Sequence, residues 1–201
     1  MRSFARVLNK LSGGKITPNG VTIFGTLMHL PIAYLIAIGW WWQAAVLLVF
    51  FGLFDTLDGE LARLTKRVSN IGMVLDSSTD RLKETFLYTG AVYYFADHGL
   101  VLGATMAVLA CGASICVSYV KARGEIAVAT SSKKKYDHDT LNKKLFPSGL
   151  LPFEIRISLL IIGLVIGSLW WGDALIWSIA IVGIGSLITF IQRLYNSAKY
   201  L

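Results

Sequence analysis

Residues 16–54 read ITPNGVTIFGTLMHLPIAYLIAIGWWWQAAVLLVFFGLF, 39 positions without one side chain that is ionised at neutral pH. A helix needs about 20 mainly apolar residues to cross a bilayer, so the stretch holds two spans and a turn. Gly39-Trp40-Trp41-Trp42-Gln43 supplies the turn. Charge-free windows follow at 99–120, 157–172 and 174–192, and Arg156 can snorkel at the edge of the second. Residues 85–96 are too few to cross alone. They complete a span if their helix starts near Gly72 and carries Asp76, Asp80, Arg81, Lys83 and Glu84 through the interface. The pattern predicts an all-α integral membrane bundle of six transmembrane helices, near 20–39, 44–61, 72–96, 99–123, 153–171 and 174–194.

Composition agrees. Of 201 residues, 55% are hydrophobic and only 15% charged, against about 25% charged in soluble domains. Mean hydropathy is +0.61. Length suits one domain over 1–201: an interfacial helix within 1–16 and the six-span bundle over 17–201. Phe4, Val7, Leu8 and Leu11 recur at helical spacing against Arg2, Arg6 and Lys10, as an interfacial helix requires. Cys111 and Cys116, inside one apolar stretch, read as small buried hydrophobes rather than a disulfide.

Charge placement tests the span count independently. Six spans put all 19 Lys and Arg residues on one side, leaving Asp97, His98 and Asp173 on the other. Basic loops mark the cytoplasmic face, so both termini are expected there, in the plasma membrane of a prokaryote. Tryptophans 40, 41, 42, 170, 171 and 177 fall toward the opposite face, as an aromatic belt would. The net charge of +7 then serves anionic lipid rather than nucleic acid. Lys133-Lys134-Lys135 reads as a solvated loop anchor.

Four carboxylates are out of place in such a chain. Asp55 and Asp58 close the second span, and Asp76 and Asp80 open the third. Spacings of three and four put each pair on one helix face, and both helix ends lie on the basic side. Four such carboxylates repel unless cations neutralise them, and oxygen-only donors suit Mg²⁺, Mn²⁺ or Ca²⁺ rather than zinc. Gly59, Ala62 and Gly72 leave room for a ligand to approach the backbone, and Arg63 offers a cationic fork to phosphate. Together these describe a pyrophosphate site at the membrane surface. An ion path would spread ionisable groups over several depths, whereas these stack at one face, which disfavours a transporter.

Asp55-x-x-Asp58-Gly59-x-x-Ala62-Arg63, eight residues, then Gly72-x-x-x-Asp76-x-x-x-Asp80 resembles the signature of the CDP-alcohol phosphotransferase family at every fixed position. The resemblance implies a six-helix membrane enzyme, homodimeric, that transfers a phosphatidyl-type group from a CDP-linked lipid such as CDP-diacylglycerol to an alcohol, releasing CMP. It implies two Mg²⁺ or Mn²⁺ ions on Asp55, Asp58, Asp76 and Asp80, with Asp80 also the base. It places CDP-lipid contacts at Asn19, Thr22, Gly59, Ala62, Arg63, Ser69 and Gly72.

Thr17-Pro18-Asn19-Gly20-Val21-Thr22, Ser118-Tyr119-Val120-Lys121-Ala122-Arg123-Gly124-Glu125 and Ile188-Thr189-x-x-Gln192-Arg193-Leu194 resemble the branch of that family whose acceptor is an inositol phosphate. Lys121, Arg123 and Arg156 are the cations that could hold the acceptor phosphate. The branch carries two Glu-Arg pairs where this chain reads Gly149-Leu150-Leu151-Pro152-Phe153-Glu154-Ile155-Arg156, with only the last arginine kept. Glycerol 3-phosphate or another polyol phosphate is therefore the alternative acceptor. Gly163-x-x-x-Gly167 permits close helix approach, within one chain or between two.

Overall fold

The computed structural model describes residues 2–130 and 151–200, apart from the side chains of Phe4, Leu8, Asp55 and Tyr200. The Lys133-Lys134-Lys135 run and Gly149-Leu150 lie outside the described residues. Every regular element among the described residues is a helix: α1 Arg2–Leu11, α2 Pro18–Leu27, α3 His29–Ala37, α4 Trp41–Leu64, α5 Asn70–Asp97, α6 Val101–Thr130, α7 Phe153–Leu169 and α8 Ala174–Tyr200. They form two compact units, Met1–His98 and Gly99–Leu201. Among the described residues, three segments are long and apolar enough to cross a membrane: Pro18–Ala37, Val101–Thr130 and Ala174–Lys199. Helices α4 and α5 have 24 and 28 residues, but their carboxylates and cations lower their apolar character.

In the first unit the initial span is broken, where the sequence reading expected one helix over 20–39. Pro31 has no N–H for the Leu27 carbonyl four residues back, and its ring crowds that carbonyl, so α2 stops at Leu27 and α3 restarts at His29. The Nδ1 of buried His29 lies 2.8 Å from the Gly25 carbonyl. The expected turn is shorter than its five residues. Gly39 alone takes the left-handed conformation, φ +79°, and α4 begins at Trp41. Trp41 does not join an aromatic belt. It is buried, packs edge-on against Tyr94 at 4.7 Å and donates Nε1–H to the Ile36 carbonyl at 3.2 Å. The other five tryptophans are exposed.

Helix α1 joins this unit through Ala5, which is fully buried with Val21, Leu57 and Leu61, while Val7 and Leu11 stay exposed. Helices α3 and α5 approach closely because Gly90 has no side chain; a Cβ there would collide with the Ala33 carbonyl.

In the second unit α6 packs on α8 through a stripe of mostly small residues: Gly103, Ala107, Ala110, Ser114 and Val117. Small residues let helices approach where lipid removes the hydrophobic drive between them. Cys111 and Cys116 lie off this stripe, so Cys111 is half-buried and Cys116 exposed rather than both buried. Gly163 of α7 faces Ser178 and Leu175 of α8, so the Gly163-x-x-x-Gly167 motif is used at Gly163 within one chain. Thr189 accepts the Leu151 N–H at 3.3 Å, and Arg193 donates to the Val117 carbonyl at 2.8 Å. Two residues of the 188–194 motif thus tie α8 to its neighbours.

Candidate active site

The site is built in the first unit by three helix ends and one reversal of the chain. Lys66 follows α4 with φ +54°, and Arg67 N–H bonds back to the Ala62 carbonyl at 2.9 Å while Lys66 N–H meets that of Arg63 at 3.4 Å. This helix-closing pattern usually carries glycine at its left-handed position, and a lysine there costs about 1 kcal/mol. Ser69 then caps α5 by accepting the Gly72 N–H at 3.1 Å. Thr17 caps α2 in the same way, accepting the Gly20 N–H at 3.1 Å, with Pro18 at the first helical position. Hydroxyl caps and a following proline are favoured because the first N–H groups of a helix have no partner inside it.

Both N-termini open on one groove of about 440 Å³. Pro18, Asn19 and Thr22 line it from α2, and Asp58, Gly59, Ala62 and Arg63 from α4. Arg67, Val68 and Ser69 contribute from the reversal, and Gly72, Met73 and Asp76 from α5. All seven residues expected to contact the CDP-lipid are therefore on one surface. Helix N-termini carry partial positive charge and free N–H groups, which suits a diphosphate. The sequence reading missed Pro18, Arg67, Val68 and Met73. Only Arg67 gave a signal, as a cation in the short connection between the carboxylate pairs.

Asp58 is 6% exposed and accepts the Thr22 hydroxyl at 2.5 Å. Its short length marks a charge-assisted bond. A Cβ on Gly72 would come within 3.1 Å of the Ser69 hydroxyl and 3.4 Å of Asn19 Oδ1, so its missing side chain leaves room for Asn19 of α2 beside the start of α5. Arg63 pairs with Glu60 at 2.8 Å and keeps 63% of its side chain exposed. It also borders a smaller cavity of about 220 Å³ with Arg2, Glu60 and Leu64.

The four aspartates are placed unequally. Asp58 and Asp76 line the groove. Asp80 lies one turn farther along α5, its Oδ1 3.2 Å from Lys83 and its Oδ2 3.8 Å from Arg81. Asp55 precedes Asp58 by one turn on α4, and its side chain lies outside the described residues. Among the described residues no three His, Cys, Asp or Glu side chains group closely enough to hold a metal ion. Asp58 and Asp76 supply hard oxygen donors to one surface, chemistry that fits a divalent cation once a further carboxylate joins them.

The expected acceptor cations belong to the second unit. Lys121 and Arg123 stand exposed on α6, with Lys121 3.9 Å from Glu125. Arg156 is 2% exposed, donates to the Leu151 carbonyl at 3.2 Å and lies 6.0 Å from the Phe153 ring centroid.

Comparison with known proteins extends this picture. The family model described as CDP-alcohol phosphatidyltransferase matches residues 15–191. A phosphatidylinositol phosphate synthase of Mycobacterium marinum is 30% identical over 206 residues, covering 96% of this chain and 80% of that protein. One from Cutibacterium acnes is 36% identical over 128 residues, 61% of this chain and 62% of its own length. The crystal structure of the Mycobacterium tuberculosis phosphatidylinositol phosphate synthase with CDP-DAG bound superposes with a TM-score of 0.82 at 26% identity, covering 98% of this chain and 92% of that one. The same enzyme in complex with manganese and citrate gives 0.81, covering 98% and 88%.

Proposed function

Because the chain belongs to the CDP-alcohol phosphatidyltransferase family, we propose that it transfers the phosphatidyl group of CDP-diacylglycerol to an inositol phosphate and releases CMP. The single observation that carries this reading is the groove that gathers Asn19, Thr22, Gly59, Ala62, Arg63, Ser69 and Gly72 with Asp58 and Asp76. In it the helix N-termini and Arg63 and Arg67 would attract the diphosphate of the donor. An acceptor hydroxyl attacks the β-phosphorus, the bond to CMP breaks, and Asp80 takes the hydroxyl proton. Two divalent ions, Mg²⁺ or Mn²⁺, would be held by Asp55, Asp58, Asp76 and Asp80 and would neutralise diphosphate charge when bound. Lys121, Arg123 and Arg156 would recognise the acceptor phosphate.

The same reading makes the chain a single six-span bundle with α1 at the interface, in a prokaryotic plasma membrane. Both termini and the site would face the cytoplasm, where every basic residue of the topology lies. We further propose a homodimer, which a single-chain mass in both detergent and lipid nanodiscs would overturn.

The deciding experiment incubates the purified protein with CDP-diacylglycerol, Mg²⁺ and separate acceptors, and measures CMP. Inositol phosphate should support release, and plain inositol should not. The retention of only one arginine over 149–156 gives glycerol 3-phosphate a specific claim. Its use in place of inositol phosphate would keep the reaction and replace the acceptor.

A further inference from the structure

Lys83 is the largest oddity of α5. A lysine rarely loses its water, yet this one is 1% exposed, and Glu84 beside it is 0% exposed. The Lys83 ammonium lies 3.2 Å from Asp80 Oδ1, one turn back on the same helix. Arg81 pairs with Glu84 at 3.3 Å and stands 3.8 Å from Asp80 Oδ2, beyond hydrogen-bond range. The two oxygens of Asp80 are thus inequivalent: Oδ1 is gripped, and Oδ2 is not held by either cation at bonding distance.

Stability does not account for this lysine. Burying an ion pair costs several kcal/mol of desolvation per ion, and an apolar residue of similar volume is often as stable or more so. What an apolar residue cannot do is fix a carboxylate. We infer that Lys83 is a positioning residue: by holding Oδ1 it locks the rotamer of Asp80 and presents Oδ2 to the acceptor hydroxyl. The inference rests on the reading of Asp80 as the base.

The test compares wild type with Lys83→Met, which keeps the length and apolar stem and removes the charge, in the CMP-release assay on folded protein. Positioning requires kcat to fall at least about tenfold, the loss of one charge-assisted hydrogen bond, with KM for CDP-diacylglycerol within about twofold. Glu84→Gln, in the same network but not touching Asp80, should keep kcat within about twofold. Wild-type kcat in Lys83→Met overturns the inference, as does an equal loss in Glu84→Gln, which would mark collapse of the whole network. If Lys83→Met does not fold, Lys83→Arg decides. It keeps the buried charge on a planar fork that cannot sit on Oδ1 alike, so a lowered kcat at unchanged KM supports positioning and wild-type kcat overturns it. A wild type that releases no CMP with any acceptor defeats the functional reading instead, before any variant is compared.

Discussion

The hydroxyl of Thr22 on α2 lies 2.5 Å from Oδ2 of Asp58 on α4, both side chains buried. This bond joins the entrance of the first span to the first described carboxylate of the groove, 36 residues away. Thr22 also lies 3.2 Å from the Pro18 carbonyl, but one hydroxyl proton serves the shorter, charged partner. Thr22, one of the residues expected to touch the CDP-lipid, thus lines the groove and donates its hydroxyl proton to Asp58.

Thr22→Val keeps the shape and removes the donor. A hydrogen bond to a charged group contributes about 1.5–3 kcal/mol, so kcat/KM for CDP-diacylglycerol should fall by about tenfold to a hundredfold. Thr22→Ser should recover most of it. Initial rates of CMP release over a donor titration read the difference.

Asp55→Asn and Asp76→Asn should each abolish CMP release while leaving the protein monodisperse on size exclusion. EDTA should silence the wild type in the same way, with recovery on added Mg²⁺. Near wild-type turnover of either variant in Mg²⁺ would show that the metal assignment is wrong.

Lys66→Gly relieves the left-handed lysine at the reversal. Glycine avoids a penalty of about 1 kcal/mol there but adds freedom to the unfolded chain, so the net gain is a fraction of that. The apparent Tm in detergent should rise by about 1–3 °C. A fall would mean that the Lys66 side chain contributes more than its backbone costs.

Gly90→Ala and Gly112→Ala form a matched pair. The methyl at 90 would strike the Ala33 carbonyl and force α3 and α5 apart, a loss of about 1–3 kcal/mol. The methyl at 112 meets nothing within 4 Å, and alanine favours the helix by about 0.5–1 kcal/mol. Thermal unfolding followed by tryptophan fluorescence should shift down for the first and not for the second.

Arg156→Ala should raise KM for inositol phosphate about tenfold to a hundredfold and leave that for CDP-diacylglycerol nearly unchanged. Because Arg156 is buried and bonded to the Leu151 carbonyl, the variant should also unfold at lower temperature. A selective loss of affinity for the CDP-lipid would assign Arg156 to the donor site.

The sequence by itself determined that the described residues fold into helices and approximately where most of them begin. Charge-free length is a property of the chain, and burying backbone in lipid permits few alternatives. It also pointed to nine of the thirteen groove residues, six of which belong to one signature on the ends of α4 and α5. The break at Met28 was legible too, since Pro31 acts on a carbonyl of its own helix, although the reading of one span over 20–39 passed over it. Only tertiary structure decided that Trp41 is buried and that Gly163 meets Ser178. The pairing of Thr22 with Asp58, 36 residues apart, was equally invisible, and so was the burial of Lys83, although its i, i+3 spacing from Asp80 was not. Periodicity tells which residues share a helix face, but which face meets which neighbour, and which atom meets which oxygen, is set by packing between segments distant in sequence.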